Sequence, residues 1–196
     1  LRDAATSFEA HLQASLRLDD EEGLDALWRS ATQTVRDYVL RPGKRVRPTL
    51  LTLGWLLARP HDARGGPPPA VLTFAAGLEL LHAFMLVHDD VADRAATRRG
   101  GAALHALFGG GKLGDDLAVV AGDHLYARAL ELLLSTDLPE GLAATRYMLE
   151  VCRHTAAGQH LDLVLSRAPL HSVTLFRTLK VADLKTAQYG FVAPLA

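Results

Sequence analysis

The chain has a single cysteine among 196 residues, Cys152. No disulfide can form within it, and a reducing compartment, the cytoplasm, is the expected location. An isolated thiol reads first as a small buried hydrophobe rather than a nucleophile. There is no excess of charge either, with 21 basic against 22 acidic side chains. That argues against nucleic acid as a partner and makes the position of each basic residue matter more than their number. Leu1–Leu18 alternates charged and apolar residues without an apolar core, so no signal peptide is read there. The chain starts without methionine, which points to a trimmed N-terminus. The run Val71–Val87 is interrupted by Glu79 and His82 and leads into three aspartates, which speaks against a membrane span. β-Branched runs are short, and repeats and low-complexity tails are missing.

What is present is leucine and alanine at helical spacing, broken by glycine and proline. Helices are expected at roughly 3–17, 20–40, 48–58, 69–93, 102–108, 115–136, 139–166 and 172–195. Pro48 suits a first helical turn, Asp137 can cap a helix with Pro139 in its first turn, and Ser172 can cap the last helix. Asp19–Glu22 and Asp115–Asp116 read as acids favourable at helix starts. Gly109–Gly111 lacks the spacing of a phosphate-binding loop and reads as a turn. With 49% hydrophobic residues, the chain fits one all-α domain over 1–196 with a substantial core.

The most informative stretch is 82–100, His-Ala-Phe-Met-Leu-Val-His-Asp-Asp-Val-Ala-Asp-Arg-Ala-Ala-Thr-Arg-Arg-Gly. Asp89, Asp90 and Asp93 close a helix that is apolar nearly all round, and burying such acids is unfavourable without a cation nearby. Asp89 and Asp93 project from one face about 6 Å apart, with Asp90 beside them. Mg2+ suits that arrangement, because it takes one or two carboxylates and fills its octahedron with water and substrate phosphate. Arg98 and Arg99 supply forks for phosphate oxygens. A solvated acidic helix end is the plain alternative. Against it, His82, Asp89 and Asp93 fall in a narrow arc with Glu79 and Asp90 at its edge, and a polar line on a buried helix calls for a cavity.

Pro42-Gly-Lys-Arg-Val-Arg-Pro48 sets Lys44, Arg45 and Arg47 at a helix start, where cations oppose the dipole unless an anion is bound. A solvated basic patch is the alternative. Lys185-Thr186 lies in an apolar helix, and by itself the lysine reads as an amphipathic surface residue. Gln159 and Asp162 stand one turn apart on another apolar helix. Gly122-Asp123 reads as a packing glycine beside a polar anchor. The scattered histidines show no metal-ligand spacing.

Taken in order, these pieces resemble the trans-type polyprenyl diphosphate synthases, the short-chain isoprenyl diphosphate synthases. The matching elements are Gly43-Lys-Arg-Val-Arg-Pro48, Glu79-Leu-Leu-His82, His88-Asp-Asp-Val-Ala-Asp93 with Arg98-Arg99-Gly100, Gly122-Asp123, Gly158-Gln159-x-x-Asp162 and Lys185-Thr186. They cover about residues 40–190.

The resemblance implies an isoprenoid-synthase-type helical bundle around a central cavity, usually homodimeric. It implies head-to-tail condensation of isopentenyl diphosphate with an allylic diphosphate, using two or three Mg2+ ions in the complete enzyme. Carried over by position, Lys44, Arg47, His82 and Arg99 would hold isopentenyl diphosphate. Asp89 and Asp93, supported by Asp90, would bind Mg2+ bridging to the allylic diphosphate, and Arg98 and Lys185 would neutralise the departing diphosphate. Thr186 and Gln159 would face the allylic cation, with Asp162 behind them. The family's second aspartate-rich motif does not occur before Ala196. The expectation is a chain cut short, lacking its C-terminal helices and inactive by itself; a noncatalytic regulatory subunit is the alternative. A class I terpene cyclase fits less well, because it needs no second diphosphate site.

In the family, bulk just before the first aspartate limits product growth. Phe84 stands five positions before Asp89 and Met85 four before, a pattern that resembles geranylgeranyl (C20) more than farnesyl (C15) synthases. On an ideal wheel Met85 and Leu81 lie nearer the aspartate line than Phe84 does, so the floor of the cavity is open among these three.

Overall fold

A computed structural model describes residues 2–16, 25–59 and 65–196. Helices α1 (Arg2–Ser15), α2 (Ala26–Leu40) and α3 (Val46–Ala58) precede the long α4 (Pro69–Asp93). An antiparallel hairpin of β1 (Thr97–Arg98) and β2 (Gly101–Ala102) leads to the one-turn α5 (Leu104–Leu107), then α6 (Gly111–Leu134) and α7 (Gly141–Leu165). After a 3-10 turn at Leu170–Ser172, α8 (Leu175–Val181) runs into a π-helical segment, Ala182–Val192, and α9 (Ala193–Leu195). The all-α expectation holds, with the hairpin as its single addition among the described residues.

Local chemistry explains where helices start and where expectation and structure part. Asp25 caps α2, its carboxylate accepting from the Leu27 amide at 2.7 Å; Asp19–Glu22 lie outside the described residues. Pro69 occupies the first turn of α4 and Arg94 ends it in the left-handed region (φ 54°). Helix α3 starts at Val46, so Pro48 falls in its first turn, where no amide is missed. Asp137 does not cap α7, whose preceding residue is Glu140 without a side-chain cap. Ser172 instead donates to the Pro169 carbonyl at 2.7 Å, and Thr174 caps α8. Gly109, Gly110 and Gly111 all take positive φ (93°, 67° and 63°), which makes the triplet a turn.

The described residues form two compact units. One comprises Leu1–Arg45 and Pro68–Thr136. Within it α4 packs along α6, α1 lies on α4, and α5 on α6. Its core draws on Leu12, Val39, Leu78, Leu80, Leu81, Leu104, Leu125 and Leu133, all buried. Gly122 permits the close α4–α6 approach, since a Cβ there would stand 2.5 Å from the His88 Nε2. Asp123 beside it reaches to 3.6 Å from the same nitrogen. Helix α4 is long and apolar enough to cross a membrane, and 67% of its most apolar window is buried inside the fold.

The other unit comprises Val46–Pro67 and Asp137–Ala196. Here α7 packs against the π-helical segment and α8, and α3 against α9. Met148, Val151, Tyr189 and Ala193 are buried in it. Cys152 is free and half-buried, and burial pushes its thiol up to about 12.

Candidate functional site

The three aspartates at the end of α4 have different surroundings. Asp90 is fully buried. Its Oδ1 accepts from the Arg98 Nε at 2.8 Å and from the Arg98 Nη2, while its Oδ2 accepts from the Tyr38 hydroxyl at 3.2 Å. The bond to Asp90 raises the Arg98 guanidinium above its ordinary value, and burial with the Asp90 charge raises the Tyr38 phenol. Asp90 is therefore the anchor of Arg98. Asp89 is half-buried and Asp93 exposed, one helical turn apart.

No group of three or more His, Cys, Asp or Glu side chains that could hold a metal ion occurs among the described residues. Two carboxylates a turn apart nevertheless fit Mg2+, which keeps several waters and takes phosphate oxygens instead of a protein cage. Asp89 and Asp93 are the residues that would hold it.

Arg98 and Arg99 sit on the hairpin, whose register pairs Thr97 with Ala102 and Arg98 with Gly101. The two-residue loop has φ of 51° at Arg99 and 75° at Gly100, the signs a type I′ turn demands. Arginine in the left-handed region costs about 1–2 kcal/mol. Its side chain is held in return, the Nη2 donating to the Glu79 Oε1 at 2.7 Å and the Nη1 to the Val39 carbonyl at 3.2 Å. Arg45, also left-handed (φ 44°), donates to the same Glu79 oxygen at 2.5 Å and to the Glu9 Oε1 at 2.9 Å. Burial disfavours the Arg45 charge, but the bonds to Glu9 and the charge of Glu79 outweigh it and raise its pKa. Two neighbouring arginines thus reach two buried acids, eleven residues apart on one helix.

The basic run divides in the same way. Lys44 is exposed, Arg45 is buried among acids, and Arg47, half-buried in the other unit, lies 4.6 Å from the Tyr189 ring centroid. His82 is half-buried on α4.

In the second unit the Lys185 Nζ donates to the Asp162 Oδ2 at 2.7 Å. The resemblance implies that Asp162 supports Gln159 and Thr186, and in the structure its carboxylate accepts from Lys185. Both polar atoms of the Gln159 carboxamide are buried without a hydrogen-bond partner among the described residues. Thr186 is exposed. A Cβ on Gly158 would stand 2.6 Å from the Lys185 backbone nitrogen, so a glycine is needed where α7 meets the π-helical segment. π-Helical turns concentrate at functional sites.

Of the three residues ahead of the aspartates, Leu81 is fully buried while Phe84 and Met85 are half-buried. The Phe84 ring meets His88 edge-on at 4.6 Å and lies 5.1 Å from Tyr126 on α6.

Tyr38, Arg41 and Glu9 were not picked out by sequence. Each reaches its partner across more than 30 residues, and no spacing rule marks such contacts.

A family model described as polyprenyl synthetase matches residues 29–196. The chain belongs to the polyprenyl synthetase family. The chain is 32% identical to a geranylgeranyl pyrophosphate synthase of Geoglobus acetivorans over 165 residues, covering 83% of this chain and 46% of that protein. It is 36% identical over 145 residues to a (2E,6E)-farnesyl diphosphate synthase of Mycobacterium tuberculosis, covering 74% of this chain and 37% of that protein. A geranylgeranyl pyrophosphate synthase structure from Corynebacterium glutamicum, complexed with isoprenyl diphosphate and magnesium, matches with a TM-score of 0.83 at 28% identity. That match covers 98% of this chain and 57% of the other. The chain spans less than half the length of these two sequence relatives.

Proposed function

We propose that the protein to which this chain belongs condenses isopentenyl diphosphate head to tail with an allylic diphosphate, releasing diphosphate and a short-chain prenyl diphosphate. C20 is the favoured product and C15 the next. The observation that carries the reading is the division of labour at the end of α4. Asp90 and Glu79 hold Arg98 and Arg99, and one turn of the same helix end presents Asp89, half-buried, and Asp93, exposed, as the carboxylates that would hold a metal. Relatives named as geranylgeranyl and farnesyl synthases support it.

Ionisation of the allylic substrate moves negative charge onto the leaving diphosphate. Asp89 and Asp93 would hold Mg2+, which when bound would supply Lewis-acid stabilisation of that charge. Arg98, oriented by Asp90, adds a fixed guanidinium, and fixed donors need no reorganisation when charge develops. Arg99, with Lys44, Arg47 and His82, binds the second diphosphate and orients the homoallylic double bond. Lys185, braced by Asp162, neutralises the departing group, and the Gln159 and Thr186 oxygens offer dipoles to the carbocation. The apolar wall of Leu81, Phe84 and Met85 excludes water that would quench that cation. No dedicated side-chain base is assigned, since the released diphosphate can take the proton. We place the enzyme in the cytoplasm as a homodimer.

The test is product analysis by mass spectrometry on protein expressed from the complete reading frame, given both diphosphates with Mg2+ or with EDTA. The expected result is a C20 product that disappears with EDTA. Substrate binding without any elongated product would replace this reading with that of a noncatalytic subunit.

A further inference from the structure

Two buried acids fix the side chains of Arg98 and Arg99, but something must also fix the backbone that carries them. Strands of two residues are too short to hold a hairpin by themselves, and this one carries a left-handed arginine in its loop. A side chain that reaches that backbone is Arg41, which follows the last residue of α2. Its Nη1 donates to the Ala102 carbonyl at 2.6 Å and to the Arg98 carbonyl at 3.2 Å, joining both strands. Its guanidinium lies 5.2 Å from the Tyr38 ring centroid, the same tyrosine that bonds Asp90. The space it fills belongs to Gly101, where a Cβ would stand 2.9 Å from the Arg41 Cζ and Nη1.

We propose that Arg41 is a positioning residue that holds the Arg98–Arg99 turn ready for a diphosphate. It acts through the main chain of the hairpin. The proposal rests on the prenyltransferase reading, in which Arg98 and Arg99 meet diphosphate oxygens.

Gly101 provides a way to separate this role from that of a nearby positive charge. It lacks a positive φ, so alanine there brings no backbone strain, and it displaces the Arg41 guanidinium while leaving the charge in place. Binding of inorganic pyrophosphate in the presence of Mg2+ is measured by calorimetry on the full chain, for wild type, Arg41→Met, Gly101→Ala and the double variant. Each single variant is expected to weaken binding about tenfold, the loss of one to two net hydrogen bonds. The double variant is expected to bind no more weakly than Arg41→Met, because both changes remove one interaction. In turnover of protein from the complete reading frame, the KM for isopentenyl diphosphate rises by a similar factor, with a smaller change in kcat. Thermal melts establish that each variant is folded at the assay temperature.

Wild-type affinity in Gly101→Ala overturns the proposal and leaves Arg41 a distant charge. Wild-type affinity in Arg41→Met removes it from the site altogether. If the wild-type protein itself fails to bind pyrophosphate with Mg2+, the prenyltransferase reading falls and this proposal with it.

Discussion

Arg99 donates to the Glu79 Oε1 at 2.7 Å, across twenty residues of sequence, and the oxygen that accepts it also takes Arg45. Glu79 is 1% exposed in the middle of an apolar helix. A buried carboxylate with no partner would protonate or unfold the helix around it. Here one acid compensates two guanidiniums, and Glu9 supplies a second carboxylate to Arg45.

Glu79→Gln keeps the shape but removes the charge. Leaving Arg45 and Arg99 without their shared partner is expected to destabilise the chain by about 3–5 kcal/mol. Denaturant unfolding measures it. A loss below about 1 kcal/mol, the range of exposed ion pairs, would show the buried cluster to be energetically idle.

The three aspartates should separate by stability and by metal dependence. Asp90→Asn breaks a buried pair with Arg98 and is expected to lower stability by about 3 kcal/mol. Asp93→Asn, at an exposed position, should stay within about 0.5 kcal/mol of wild type. The Mg2+-dependent turnover of Asp89→Asn and Asp93→Asn should fall by about two orders of magnitude. Melting curves and Mg2+ titrations of turnover on protein from the complete reading frame make the comparison. Equal destabilisation by all three would contradict the assignment.

Phe84→Ala removes the ring that contacts His88 and Tyr126 and is expected to shift the product distribution to longer chains. Mass spectrometry of the extracted alcohols reads the shift. An unchanged distribution takes Phe84 out of the role and leaves the floor to Leu81 and Met85, which the same assay then tests.

Cys152 gives a prediction in pH. Burial raises its thiol to about 12 in the folded chain, against about 8.5 unfolded. At pH 8 the native protein should react with iodoacetamide at least about a hundredfold more slowly than the denatured one. The folded state keeps a proton that the unfolded chain releases. The thiol's contribution to stability is therefore whole below pH ~8.5 and lost as pH rises toward 12. Rapid native alkylation at pH 8 would place the thiol in solvent.

Much of α4 was legible in the sequence, because what defines it is local. An apolar run with proline at its start and acids at its end yields one helix whatever surrounds it, and expected and observed bounds coincide at 69 and 93. The last stretch was less legible. Leucine and alanine spacing over 172–195 reads as one helix, but the chain switches to π-helical turns at Ala182 where Gly158 of α7 meets the Lys185 backbone. That approach is made by residues 27 apart, which periodicity within one segment does not sense. The hairpin escaped notice for a related reason, since Thr97–Ala102 has no alternating pattern and owes its pairing to the turn.

The sequence by itself determined that this chain is helical, that acids close a buried helix, and that a basic pair follows them. These follow from residue type and from spacing within a few turns. Only the tertiary structure decided which acid does what. Asp90 and Asp89 are neighbours of the same type, yet Asp90 is sealed against Tyr38 and Arg98 while Asp89 is only half-buried. Burial and charge pairing are set by what other elements bring to each side chain. Tyr38, Arg41 and Arg45 come to the site from chain positions that local pattern does not link to it.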